Sequence, residues 1–134
     1  MATWDDVRSI ALDLPGAAED RSGSTVAWRV GGKAFAWERV LRRGEREQLG
    51  TRAPAGPALG LRTTDPETAH ALVAARPEVF FVVAGYGVHP MVLVDVEQAA
   101  LDDLDEAITD AWLSRASQRA VRAFLSETGL AGQE

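Results

Sequence analysis

The chain has no cysteine, which excludes a disulfide framework, a thiolate nucleophile and any cysteine-based zinc site. Histidine is almost as scarce. His89 has no second histidine or carboxylate at ligand spacing and His70 is isolated on a helix, so no metal site is expected. Long apolar runs are also missing: the longest, residues 79–84, falls far short of the roughly 20 residues that cross a bilayer. The first six residues have no basic region leading into an apolar stretch, so no signal peptide is expected. These absences predict a soluble, cytoplasmic protein with no membrane partner. Catalytic templates are missing too. There is no nucleophile elbow, no phosphate-binding glycine loop with lysine and no His-Glu zinc helix. Neither catalytic residues nor a cofactor are expected, and no feature reports the oligomeric state.

Positive charge is in deficit, with a formal net charge of −6, which weighs against nucleic-acid binding across the whole surface. The distribution is uneven. Residues 21–52 carry eight basic groups against three acidic ones, whereas residues 53–110 carry two against ten. One basic face is therefore compatible with an acidic protein.

At 134 residues, the length suits a single domain over residues 1–134 with a real core. Thr3 and Asp6 form a capping-box pattern, followed by Trp4, Val7, Ile10, Ala11 and Leu14 at helical spacing, and Pro15-Gly16 ends the helix. Residues 25–30 and 33–38 flank Gly31-Gly32, a two-residue hairpin signal. A regular ladder pairs Val30 with Lys33, Trp28 with Phe35 and Val26 with Trp37. It places Trp28, Phe35 and Trp37 on one face, and Ala27, Ala34 and Ala36 on the other. Residues 41–56 read as a long polar connection, with at most a helical turn near residues 45–49. Residues 58–62 predict a third strand. Thr64 or Asp65 caps a second helix with Pro66 in its first turn and Ala69, Leu72 and Val73 facing inward. Residues 79–83 read as a buried central strand, and residues 91–96 as its return after the turn at residues 85–87. Leu101, Leu104, Ile108, Ala111 and Trp112 stripe a third helix. Ser117 caps a fourth, which Gly129 follows. The expected architecture is α+β and two-layered. It has a mostly antiparallel five-stranded sheet and the order α-β-β-β-α-β-β-α-α.

These residues, taken in order, resemble the MmcQ/YjbR family. The resemblance rests on the Trp4-Asp5-Asp6-Val7 helix closing in Leu14-Pro15-Gly16. It continues through Ala27-Trp28-Arg29-Val30, Gly32-Lys33 and Phe35-Ala36-Trp37-Glu38-Arg39. Leu59-Gly60, Val79-Phe80-Phe81, Tyr86-Gly87 before Pro90, and Ala111-Trp112-Leu113 before a basic last helix complete it. It covers residues 3–126 and implies a compact two-layer domain, likened to type III secretion chaperones and frataxin-like folds. It also implies a DNA-binding role inferred from shape. Ser117-Gln118-Arg119 departs from the family pattern, in which many members have a proline and more basic residues.

Two candidate sites follow. Arg29, Lys33, Arg39, Arg42, Arg43 and Arg46, extended by Arg52, form the dense basic region. As a hairpin wing with an Arg-rich loop they would contact DNA phosphates weakly; as a solvated loop they would be offset by Glu38, Glu45 and Glu47. Trp28 and Trp37, with Tyr86 and His89 of the glycine-rich turn, would line a pocket for a small aromatic ligand or a protein partner. The competing reading of the rings is ordinary core. The carboxylates between residues 102 and 110 read as a solvated helix face.

Overall fold

The computed structural model describes residues 2–83 and 89–128. Helix α1 (Trp4–Asp13) starts as its capping box requires. The Thr3 hydroxyl accepts from the Asp6 N–H at 3.2 Å, and the Asp6 carboxylate accepts from the Thr3 N–H at 2.9 Å. A cap of this type is worth about 1 kcal/mol. The helix buries Val7 and Ala11 and stops at Leu14.

Six strands form one antiparallel sheet: β1 (Ala18–Ser22), β2 (Thr25–Val30), β3 (Lys33–Arg39), β4 (Ala58–Arg62), β5 (Phe80–Phe81) and β6 (Met91–Val94), in the spatial order β1-β2-β3-β4-β6-β5. Five were expected. The addition is β1, whose sequence Ala-Glu-Asp-Arg-Ser has no apolar alternation to betray it. An edge strand needs none, because its polar side chains pair along the surface: Glu19 meets Arg8 at 2.7 Å and Asp20 meets Arg29 at 3.0 Å.

The hairpin turn forms where expected, with Gly31 and Gly32 at φ +58° and +79° and Val30 opposite Lys33. The ladder then breaks. A bulge places Trp28 opposite Ala36 instead of Phe35, and Ala27 instead of Val26 opposite Trp37. One inserted residue flips every side chain beyond it. Trp28 and Phe35 remain together in the main core, joined by Ala36, while Trp37 moves to the other face. The expectation of three rings on one face is therefore corrected to two.

The residues expected as a central strand also lie elsewhere. β5 is two residues long and sits at the sheet edge beside β6. Its apolar run reflects burial on both faces, not a central position. Phe80 belongs to the main core and Phe81 to a second cluster. The return strand β6 ends at Val94, and a 3-10 turn follows at Val96–Gln98.

Helix α3 (Pro66–Ala75), capped by Asp65, packs on β6 and β5. Helix α4 (Leu101–Arg115) packs on β3 and β4, with α1 beside it. Leu104, Ala107, Ile108, Ala111 and Trp112 turn inward, whereas Leu101, expected on the same stripe, is 53% exposed at the first position of the helix. Each fully enclosed aliphatic side chain contributes roughly 1.5–3 kcal/mol. The Trp112 indole N–H donates to the Pro15 carbonyl at 3.0 Å and its ring meets Phe124 of α5 (Gln118–Thr128), which starts with the Ser117 hydroxyl accepting from the Ala120 N–H.

The opposite sheet face carries a smaller cluster of Leu41, Ala58, Phe81, Val83, Met91 and Leu93, flanked by Trp37 and Leu49. Leu49 comes from α2 (Arg43–Leu49), a helix where a long connection was expected. Glu45 explains it: its carboxylate accepts from the Arg42 N–H at 2.8 Å and so satisfies one of the orphan amides at the helix start. Among the described residues no helix is long and apolar enough to cross a membrane.

Candidate ligand-binding groove

The basic segment divides into structural and exposed members. Arg39 forms a forked pair with Glu45 at 2.8 and 3.1 Å and reaches the Val40 carbonyl at 2.7 Å. Arg46 donates to the carbonyls of Pro54 and Gly56, at 2.6 and 3.0 Å, and so fastens α2 to the following loop. Arg52 donates to the Phe80 carbonyl and lies 4.7 Å from the Phe81 ring centroid. Arg29 is held by Asp20 and by the Gly32 carbonyl. Lys33, Arg42 and Arg43 are exposed, with Arg43 in a solvent-facing pair with Glu47. Burial alone would raise the Glu45 carboxyl, but the Arg39 guanidinium and the Arg42 amide outweigh it and hold the group below its ordinary range.

The two tryptophans proposed for the aromatic pocket do not converge. Trp28 is 2% exposed, and its indole N–H donates to Glu19 at 3.3 Å. Trp37 lies on the opposite face of the sheet. His89 is exposed beside Pro90, and Tyr86 lies outside the described residues. Among the carboxylates of α4, Asp103 pairs with Arg76 at 3.3 Å. Among the described residues, no group of three His, Asp or Glu side chains is placed to hold a metal ion.

A different site emerges between α3 and α4, above the end of β4. It is a groove of about 430 Å³, floored by Leu61, Val92, Leu72 and Ala107. Its rim is polar: Arg62, Thr63, Thr64, Thr68, Asp110 and Ser114. Past Asp110 it continues into a smaller hollow of about 190 Å³, whose lining includes the paired Arg76 and Asp103. Three hydroxyls spend their protons within the protein: Thr63 donates to the Asp65 carbonyl, Thr68 to the Asp65 carboxylate and Ser114 to the Ala111 carbonyl. Their oxygens are left as acceptors.

Two arginine nitrogens at or near the groove lack a hydrogen-bond partner. The Nε atoms of Arg62 and of neighbouring Arg115 are enclosed without a hydrogen-bond partner. Burial lowers the Arg62 pKa, and the positive charge of Arg115 lowers it further. The Arg62 guanidinium also lies 5.8 Å from the Trp37 ring centroid. Across the groove, burial pushes the Asp110 carboxyl up, and Glu106 adds to the shift. The groove thus combines an apolar floor with a rim of hydroxyl acceptors, the composition of a small-molecule site, with Arg62 on the rim and Arg115 near it. Reading the sequence missed Arg62, Asp110 and Arg115. A charged residue ending the apolar run of β4 was the one local signal.

A model of the YjbR family matches residues 12–114 of the chain. Uncharacterized proteins of Mycobacterium bovis and Mycobacterium tuberculosis are 42% identical over 132 residues, covering 96% of this chain and 100% of theirs. The crystal structure of a Deinococcus radiodurans protein with the family-model domain DUF419 aligns with a TM-score of 0.63 at 22% identity. That alignment covers 97% of this chain and 90% of the other, a likeness of fold.

Proposed function

The chain belongs to the YjbR family, and from that footing we propose that it is a non-enzymatic binding domain holding a small organic acid between α3 and α4. The carrying observation is the pair of enclosed arginine Nε groups, on Arg62 and Arg115, with no partner. Unpaired buried donors and neighbouring like charges are both unfavourable. An anionic group relieves both at once, and Arg is suited to grip it with two parallel bonds. The apolar floor takes the body of such a ligand, and the hydroxyl oxygens of Thr63, Thr68 and Ser114 accept from its donor groups.

Thermal melting with benzoate as probe and benzyl alcohol as its neutral counterpart tests this reading, because a ligand that binds only the folded state raises the melting temperature. Benzoate is expected to raise it, benzyl alcohol to leave it unchanged, and Arg62→Met and Arg115→Met each to diminish the response. Equal shifts from the two compounds, or a benzoate shift that survives in the double variant, overturn the reading.

DNA binding is the second reading, and it draws on Lys33, Arg42 and Arg43, whose side chains face solvent. It gains less support than the groove, because Arg39, Arg46 and Arg52 are already engaged within the protein.

A further inference from the structure

Asp95 is the one charged residue that is buried among the described residues, at 8% exposure. Its backbone is tied in place where β6 ends, with its N–H donating to the Val79 carbonyl at 2.8 Å. Asp95 precedes the 3-10 turn Val96–Gln98, whose Glu97 and Gln98 amides help to hold its charge. Arg52 acts on it electrostatically, but that guanidinium is occupied by the Phe80 carbonyl and the Phe81 ring. These partners do not offset burial, which holds the carboxyl above its ordinary range, so its ionised form is left undersatisfied.

Asp95 lines a cavity of about 450 Å³ between the start of α1, the 54–57 loop and the 3-10 turn. Half-buried Trp4 forms one wall and Pro54 and Pro57 contribute another, while Glu97 stands beside Asp95 with its side chain exposed. Carboxylates supply acceptors and negative charge, and an indole face attracts a cation. The volume lies within the range of small-ligand pockets, about 300–1,000 Å³. We infer that this cavity is a second ligand site, binding an organic ammonium with an apolar body: Asp95 and Glu97 receive the ammonium, and Trp4 and the prolines cover the body. The site is independent of the α3–α4 groove, which shares none of its residues.

Calorimetric titration of the full chain with benzylamine, protonated at neutral pH, and with benzyl alcohol tests this inference. Benzylamine is expected to bind at least about tenfold tighter, the equivalent of roughly 1.4 kcal/mol. Asp95→Asn is expected to abolish that preference while melting cooperatively at or above the wild-type temperature. Glu97→Gln, at an exposed position, reduces the preference, and Trp4→Phe weakens both compounds. Arg62→Met leaves all of this unchanged, which separates the site from the groove. Absence of benzylamine binding, equal affinity for the two compounds, or an undiminished preference in Asp95→Asn overturns the inference. If Asp95→Asn does not fold, an undiminished preference in Glu97→Gln overturns it equally.

Discussion

The indole of Trp37 fills the space that a side chain at position 60 would need: a Cβ built on Gly60 collides with the Cε2 and Nε1 atoms of the ring. The two residues are partners across β3 and β4, near the middle of the sheet. The bulge at Phe35 brings Trp37 to this face, and the missing side chain at Gly60 gives it room. Gly60→Ala is expected to destabilise the protein by about 1–3 kcal/mol through overpacking, read as a lower urea midpoint. Combining it with Trp37→Leu should recover much of the loss, because contacting residues are not additive.

The forked Arg39–Glu45 pair is mostly enclosed, with side-chain exposures of 15% and 13%. Glu45→Gln is expected to cost about 1–3 kcal/mol at neutral pH, the scale of a charged hydrogen bond. The pH dependence follows from the lowered Glu45 pKa. Its contribution is fully present above the unfolded-state carboxyl pKa and is lost as pH falls through the folded value. Denaturation of wild type and Glu45→Gln across the acid range should therefore converge at low pH.

Asp95 has the opposite sign. Burial raises its carboxyl pKa, and the Glu97 charge adds to this against the opposing pull of Arg52. Its ionised form is disfavoured in the folded protein, so its contribution to stability falls as pH rises from the unfolded pKa towards the folded one. Asp95→Asn should match wild type in acid and be the more stable at neutral pH. A variant less stable at neutral pH would show that the carboxylate supports the fold.

The basic segment should split by role. Arg46→Met removes the donor from the Pro54 and Gly56 carbonyls and is expected to cost about 1–3 kcal/mol. Arg43→Met, at an exposed position, should change stability by less than about 0.5 kcal/mol. On the DNA reading, Arg42→Glu with Arg43→Glu abolishes any salt-sensitive retention on DNA without lowering the melting temperature. Retention that persists in this folded variant removes that reading.

Much of the framework was legible because its causes lie within a few residues of one another. Thr3 and Asp6 announce α1, Asp65 with Pro66 announces α3, Ser117 announces α5, and Gly31-Gly32 announces a turn needing two positive φ angles. The ordered set of residues also identified the family. The candidate sites were legible only as composition. Arg39 and Arg43 look alike in sequence, yet one is forked onto Glu45 and the other faces solvent.

Local caps, turns and apolar periodicity determined the types of the elements other than β1 and α2, because each depends on neighbours along the chain. Only the tertiary structure decided which face Trp37 occupies, since a bulge of one residue reverses the alternation of everything after it. It also decided that an apolar pair of phenylalanines sits at an edge, that a polar strand completes the sheet, and that Asp95 and the Nε atoms of Arg62 and Arg115 are enclosed. Burial and unmet hydrogen bonds arise between segments distant in sequence, and no local pattern encodes them.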